Sequence, residues 1–118
     1  MLNILFTRAL AAHLPSTVPI VPTAANPGFC FSELRRHLSQ AERDLYAVLD
    51  TTMGRSAEEG ARQLVWAAVG PDVRDGDAVL RLRGAYVSTA AVVQPGKYVL
   101  SDEGREVQER IWVRSWDS

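Results

Sequence analysis

Cys30 and His37 stand seven residues apart, about two turns of an α-helix, so a thiol and a base could share one helix face there. Cysteine is, however, among the most buried residue types and packs as a small hydrophobe, while His37 in Arg36-His37-Leu38-Ser39 reads as a solvated helix residue. Packing is the simpler account of the pair. His13 and His37 are the only histidines, and neither has a partner at a metal-ligand spacing such as H-E-x-x-H. A Ser-His-Asp site or a two-histidine metal site therefore has few ways to be built, and no metal ligand is assigned. Glycines fall at 28, 54, 60, 70, 76, 84, 96 and 104, too scattered for a phosphate-cradling loop. Trp66, Trp112 and Trp116 read as core or interface anchors rather than as a stacking platform.

What remains is Asn26-Pro27-Gly28, which ends an apolar run and leads through Cys30 toward Ser32. In open α/β sheets, ligands bind beyond the carboxyl ends of the strands. Proline and glycine let a backbone turn sharply at such a place and approach a ligand closely. Spacing alone favours a purely structural turn.

The elements that must position this turn are legible in outline. Leu2, Leu5, Phe6, Ala9 and Ala12 line one face of a helix over Met1 to Ala12, which has no N-cap and reads as the tail of a longer helix. Thr17 to Ala25 suggests a strand, although Pro19 and Pro22 cannot donate to a ladder. Phe31 to Leu38 reads as a short helical stretch. Ser39-Gln40-Ala41-Glu42 then has the form of a capping box and opens a helix with one buried face, Ala41, Leu45, Val48, Leu49 and Thr52, ended by Gly54. A second box, Ser56-Ala57-Glu58-Glu59, opens a helix with the stripe Ala57, Ala61, Leu64, Val65 and Ala68, stopped by Gly70-Pro71. Asp72 to Asp77 reads as a loop, Val79 to Ser88 as extended, and Gln94-Pro95-Gly96-Lys97 as a turn. Ser101 starts a last helix, on which Val107 and Ile111 stack beside Trp112 and Trp116. Strands alternating with helices point to an α/β layer with parallel pairing, mostly helical with about two strands, which is too few for a stable sheet.

Composition narrows the function classes. With 118 residues the expectation is a single unit, 1–118, and 47% hydrophobic with 23% charged residues is ordinary for a globular protein. A net charge of -1 does not suggest a nucleic-acid partner, and Lys97 is the only lysine. Cys30 is the only cysteine, which excludes an internal disulfide and fits a reducing, cytoplasmic location. The apolar start is not read as a leader, because Arg8 sits inside the apolar run instead of before it. No apolar run approaches the length of about 20 residues that spans a bilayer, so no membrane span is expected.

Three stretches together resemble the C-terminal part of a short-chain dehydrogenase/reductase, especially the fungal members similar to retinol dehydrogenases. They are MLNILF with Arg8-Ala9-Leu10, then NPGFCFSEL, then GRSAEEGARQLVWAA leading to LRGAYVS and VLSDEGREVQERIW, and they cover nearly the whole chain. The resemblance implies an incomplete Rossmann-like fold, the C-terminal portion of a doubly wound parallel sheet. In the family the strand before Pro-Gly is the sixth of seven, and the Pro-Gly segment passes beside the nicotinamide ring. The pattern P-G-x-x-x-T ends there in a threonine that holds the cofactor's carboxamide. Pro27, Gly28 and Ser32 match those positions and are the cofactor-binding residues the resemblance implies, with serine keeping the hydroxyl.

The family's chemistry also needs the tyrosine and lysine of Y-x-x-x-K, a serine that orients the substrate carbonyl and a Gly-rich turn for the pyrophosphate. The resemblance implies that Met1 falls just past the catalytic lysine, and Lys97 cannot replace it because Val93, not tyrosine, stands four residues earlier. No catalytic residue is therefore assigned. The expectation is a truncated enzyme whose parent performs NAD(P)-dependent oxidation or reduction of an alcohol or carbonyl, while this chain binds no cofactor tightly and is not catalytic alone. The alternative is a non-catalytic interaction module, associating with copies of itself or with a full-length relative, because its apolar helix faces exceed the sheet available to cover them. A small enzyme built on Cys30 and His37 is the third reading.

Overall fold

A computed structural model describes residues 1–31, 36–71 and 74–115. The element order is α1 (Leu2–His13), β1 (Ala24–Asn26), α2 (Gln40–Met53), α3 (Ala57–Val69), α4 (Gly76–Leu82), β2 (Tyr86–Ser88), β3 (Ala91–Val93), α5 (Lys97–Leu100) and α6 (Asp102–Arg114). This is the mixed α/β, mostly helical and partly Rossmann-like arrangement expected, with three strands in place of two.

The sheet has the order β1-β2-β3. β1 and β2 run parallel, with Ala24 opposite Tyr86 and Asn26 opposite Ser88, and β3 returns antiparallel to β2. The β2–β3 turn was invisible in the sequence because its two central residues, Thr89 and Ala90, both sit at φ 54° without being glycine. A hairpin whose two central residues both have positive φ matches the strand twist, but the left-handed region is unfavourable for a β-branched residue. Gln63 of α3 compensates, its Oε1 accepting the Ala90 N–H at 2.6 Å.

The expected strand over Thr17 to Ala25 contracts to Ala24–Asn26, beyond both prolines. The preceding loop is tied down by Arg83, whose guanidinium donates to the carbonyls of Leu14, Pro15 and Ile20. The expected extended segment from Val79 is instead helical as far as Leu82. Asp75 caps that helix, its Oδ1 accepting from the Asp77 and Ala78 amides at 3.1 Å. An alternation of Val, Leu and Arg suits either conformation, and the cap decided between them. Gln94 to Gly96 runs without a turn into α5, with Gly96 as its N-cap.

Among the described residues the buried apolar core is small, Leu5, Ala9, Leu82, Val87 and Val99, with Gln108 buried beside it. Leu5 and Ala9 stack at i, i+4 on the α1 face turned toward α6 and the sheet. Gly104 and Gln108 answer them from α6, where Ser101 caps the helix by accepting from the Gly104 amide. Arg8 donates to Gln108 Oε1, His13 pairs with Glu109 at 2.8 Å, and the His13 ring stacks on Trp112 at 4.6 Å. Trp116, expected beside Trp112, lies outside the described residues.

Both capping boxes form as expected, with Ser39 and Ser56 at the N-caps and Gly54 and Gly70 at the C-caps. The burial expected of these helices does not follow. No described residue of α2 is buried, and Leu45 and Val48 are 64% and 63% exposed. On α3 the stripe Ala57, Ala61, Leu64, Val65 and Ala68 faces outward, and Gly60 is the buried position. Most of both faces is left exposed, with Leu49 half-buried. The radius of gyration is 16.8 Å, against about 13.5 Å for a compact chain of this length.

Candidate functional site

The Pro-Gly turn lies directly past the carboxyl end of β1, where an α/β sheet presents its ligands. Pro27 has no N–H with which to continue the ladder. The Asn26 side chain closes the turn, its Oδ1 accepting the Gly28 N–H at 3.0 Å in an Asx turn. Gly28 has φ 82°, a left-handed conformation that favours glycine. The Arg55 side chain lies against it, so that a Cβ on Gly28 would stand 3.1 Å from Arg55 Nη1.

The following residues are stitched to the α2–α3 connection. The Arg55 N–H donates to the Phe29 carbonyl at 2.8 Å, and the Phe31 N–H donates to the Arg55 carbonyl at 3.0 Å, a single parallel bridge at Cys30. The Phe29 ring stacks on Tyr46 of α2 at 5.9 Å. The Cys30 thiol donates to the Pro27 carbonyl at 3.3 Å. α3 approaches so closely here that a Cβ at Gly60 would collide with Cys30 Sγ. Gly60, Asn26 and Arg55 are thus the supports of the turn. A glycine inside an otherwise regular helix is the one sequence signal that could have pointed to Gly60.

On the other side, Asn26 and Pro27 border a cleft of about 380 Å³ that Asn3 and Thr7 of α1 line from across, with Thr23 and Tyr86 contributing from the sheet. The first turn of α1 and the Pro-Gly turn therefore face one space. Thr7 directs its hydroxyl back to the Asn3 carbonyl at 2.8 Å.

Of the three residues assigned from sequence, Pro27 and Gly28 sit together in this turn, and Ser32 lies outside the described residues. So do residues 33–35 of the short helix expected over Phe31 to Leu38; of the rest of that stretch, Phe31 is not helical and Arg36 and His37 form a turn. Cys30 and His37 do not share a helix face. Cys30 belongs to the bridge with Arg55, and His37 accepts from the Arg36 Nε–H at 3.1 Å. Among the described residues, no three of His, Cys, Asp and Glu gather in a group that could hold a metal ion. None of the described helices is long and apolar enough to cross a membrane.

Resolved pKa shifts fall outside the turn. Glu42 is held below the usual carboxylate range by the Ser39 hydroxyl and then the Ser39 amide. Glu59 is lowered by the Ser56 amide and then the Ser56 hydroxyl. These are capping effects, not signs of a tuned acid or base.

Comparison with known proteins finds this chain similar to one part of proteins named as short-chain dehydrogenases/reductases. A short chain dehydrogenase/reductase of Cryptosporiopsis is 32% identical over 113 residues, 95% of this chain and 32% of its own length. A second, from Aspergillus flavipes, is 33% identical over 117 residues, 99% of this chain and 32% of its own length. A polyprenol dehydrogenase of Mus musculus is 30% identical over 95 residues, covering 80% of this chain and 26% of the relative. The chain spans about a third or less of the length of these curated relatives. No family model matches it, and no solved structure does.

Proposed function

We propose that this chain, which resembles the C-terminal part of a short-chain dehydrogenase/reductase, forms one unit over residues 1–118 that supplies one wall of an NAD(P) site and does not catalyse alone. The parent enzyme would oxidise an alcohol or reduce a carbonyl with that cofactor. The observation that carries this reading is the Pro27-Gly28 turn, locked by Asn26 at the carboxyl end of a parallel strand and bordering a cleft with the first turn of α1.

The residues present fit one part of such a cofactor. Gly28 spends its N–H on Asn26 and Pro27 spends its carbonyl on Cys30, so the turn is fixed by bonds of its own as well as by Arg55 and Gly60, with Asn26 and Pro27 bordering the cleft. A carboxamide contact falls to the Ser32 hydroxyl on the strength of the resemblance. The 118 residues provide no Gly-rich turn for the pyrophosphate. Nor do they contain Y-x-x-x-K, since Tyr46, Tyr86 and Tyr98 are followed four positions later by Asp50, Ala90 and Asp102. The nicotinamide supplies hydride transfer when bound, but the proton donor that must accompany it has no representative here. A cytoplasmic location accords with the single cysteine.

A second reading, an interaction module that docks on a separate partner, is favoured by the uncovered apolar faces of α2 and α3. In the first reading the same faces meet the rest of one domain. DNA sequence upstream of the Met1 codon separates the two: an in-frame extension encoding a Gly-rich turn and Y-x-x-x-K supports the first, and an in-frame stop supports the second. For the isolated chain, titration with NADPH followed by fluorescence and absorbance is expected to give neither saturable tight binding nor turnover. Turnover would overturn the claim that it does not catalyse alone, and saturable tight binding the expectation that it holds no cofactor tightly.

A further inference from the structure

Three arginines line one cleft of about 370 Å³ at the opposite end of β2 from the Pro-Gly turn: Arg8 from α1, Arg81 from α4 and Arg83 just after it. All their hydrogen bonds go to neutral oxygens. Arg8 Nε donates to the Gln108 amide oxygen at 3.3 Å, Arg81 Nε to the Asp77 carbonyl at 3.2 Å, and Arg83 to the three loop carbonyls described above. None of the three pairs with a carboxylate, and no acid lines the cleft among the described residues. None of these guanidinium groups is thus held by an ion pair, and arginine guanidinium groups bind oxyanions strongly and with defined geometry. The remaining wall is largely apolar, formed by Val92, Val93, Pro95 and Leu100.

We propose that this cleft binds a small amphipathic anion, a carboxylate or phosphate monoester on an apolar body, with the oxyanion held by the arginines and the body lying on the β3–α5 wall. The site is separate from the turn assigned to the cofactor, and the proposal stands whether or not that assignment does. Arg83 has a structural duty in tying down the loop, and Arg8 is half-buried. Arg81 is exposed and bonds a single carbonyl of its own helix, so it is the position to change without unfolding the chain.

The test is calorimetric titration of the full 118-residue chain with octyl phosphate and octanoate, each below its micelle concentration, alongside octanol and inorganic phosphate. The expected result is saturable binding of one or both octyl anions, the tighter identifying the head group, with octanol and phosphate each at least about tenfold weaker. Losing one charge-assisted contact should cost about tenfold or more, so Arg81→Gln weakens binding by that factor and Arg81→Lys restores part of it. No saturable binding of either octyl anion, octanol binding as well as they do, or undiminished binding by Arg81→Gln overturns the proposal.

Discussion

The seam between α1 and α6 and the pair α2 and α3 are built from similar material and end differently. Both have apolar residues at helical spacing, and α2, α3 and α6 each start on a serine cap. At the seam, Leu5 and Ala9 are fully buried, and Gln108, Glu109 and Trp112 each engage a residue of α1. On α2 and α3, the caps are complete while Leu45, Val48, Leu64 and Val65 stay more than half exposed. Capping is satisfied within four residues, and burial needs a second surface from elsewhere. A helix can thus be fully specified locally and remain unfinished as a packing element.

The sharpest way to break this contrast is to truncate one leucine in each region. Leu5→Ala should destabilise by about 2–5 kcal/mol, as lost transfer energy and a residual cavity add. Leu45→Ala should stay within about 0.5 kcal/mol, because little apolar surface is withdrawn from water there. Urea unfolding followed by circular dichroism measures both, and equal effects would mean that α2 is covered in solution. Such coverage would show as self-association in sedimentation at the same concentration.

A smaller effect is expected where α3 touches the Pro-Gly turn. Gly60→Ala places a Cβ against Cys30 Sγ and should destabilise by about 1–3 kcal/mol, by forcing α3 away from the turn. Gly76→Ala, at the first position of α4, is the control, since a Cβ there meets nothing within 4 Å. If both are silent in thermal unfolding, the contact that supports Pro27 and Gly28 is not a tight one.

The smallest effects belong to the caps. Ser39→Ala and Ser56→Ala should each cost about 1 kcal/mol, read as lost helicity by circular dichroism. Their pH dependence follows from Glu42 and Glu59, whose carboxylates are stabilised in the fold below the ordinary value of 4.5. A carboxyl lowered by folding contributes stability that is complete above that ordinary value and lost as pH falls through the lower folded one. Acidification should therefore fray the first turns of α2 and α3 and leave the α6 start in place, because the Ser101 cap involves no carboxylate. Residue-resolved hydrogen exchange between pH 5 and pH 3 would reveal uniform fraying if this is wrong; the window is about one unit either side of a carboxyl's usual range.

How far the candidate site could be read follows the same division. The Asn26-Pro27-Gly28 turn was legible because each residue has one conformational reason to be there: a side-chain acceptor, a missing donor, and a φ of 82°. Arg55 and Gly60 were not, because their roles exist only once α3 has been laid against the turn. The β2–β3 hairpin escaped for a related reason. Thr89 and Ala90 hold an unfavourable backbone with help from Gln63, which is 27 positions away from Ala90.

By itself, the sequence determined where α2, α3 and α6 begin, that the chain turns after Asn26, and that it contains no Y-x-x-x-K. These depend on hydrogen bonds between near neighbours, on ring and Cβ sterics, or on residue identity alone. Only the tertiary structure decided that α1 meets α6, that residues 76–82 coil into a helix before β2, and that the cleanest apolar stripe in the chain faces outward. Burial and pairing are settled by which distant segment arrives, and the free energy of covering a face is absent until something covers it.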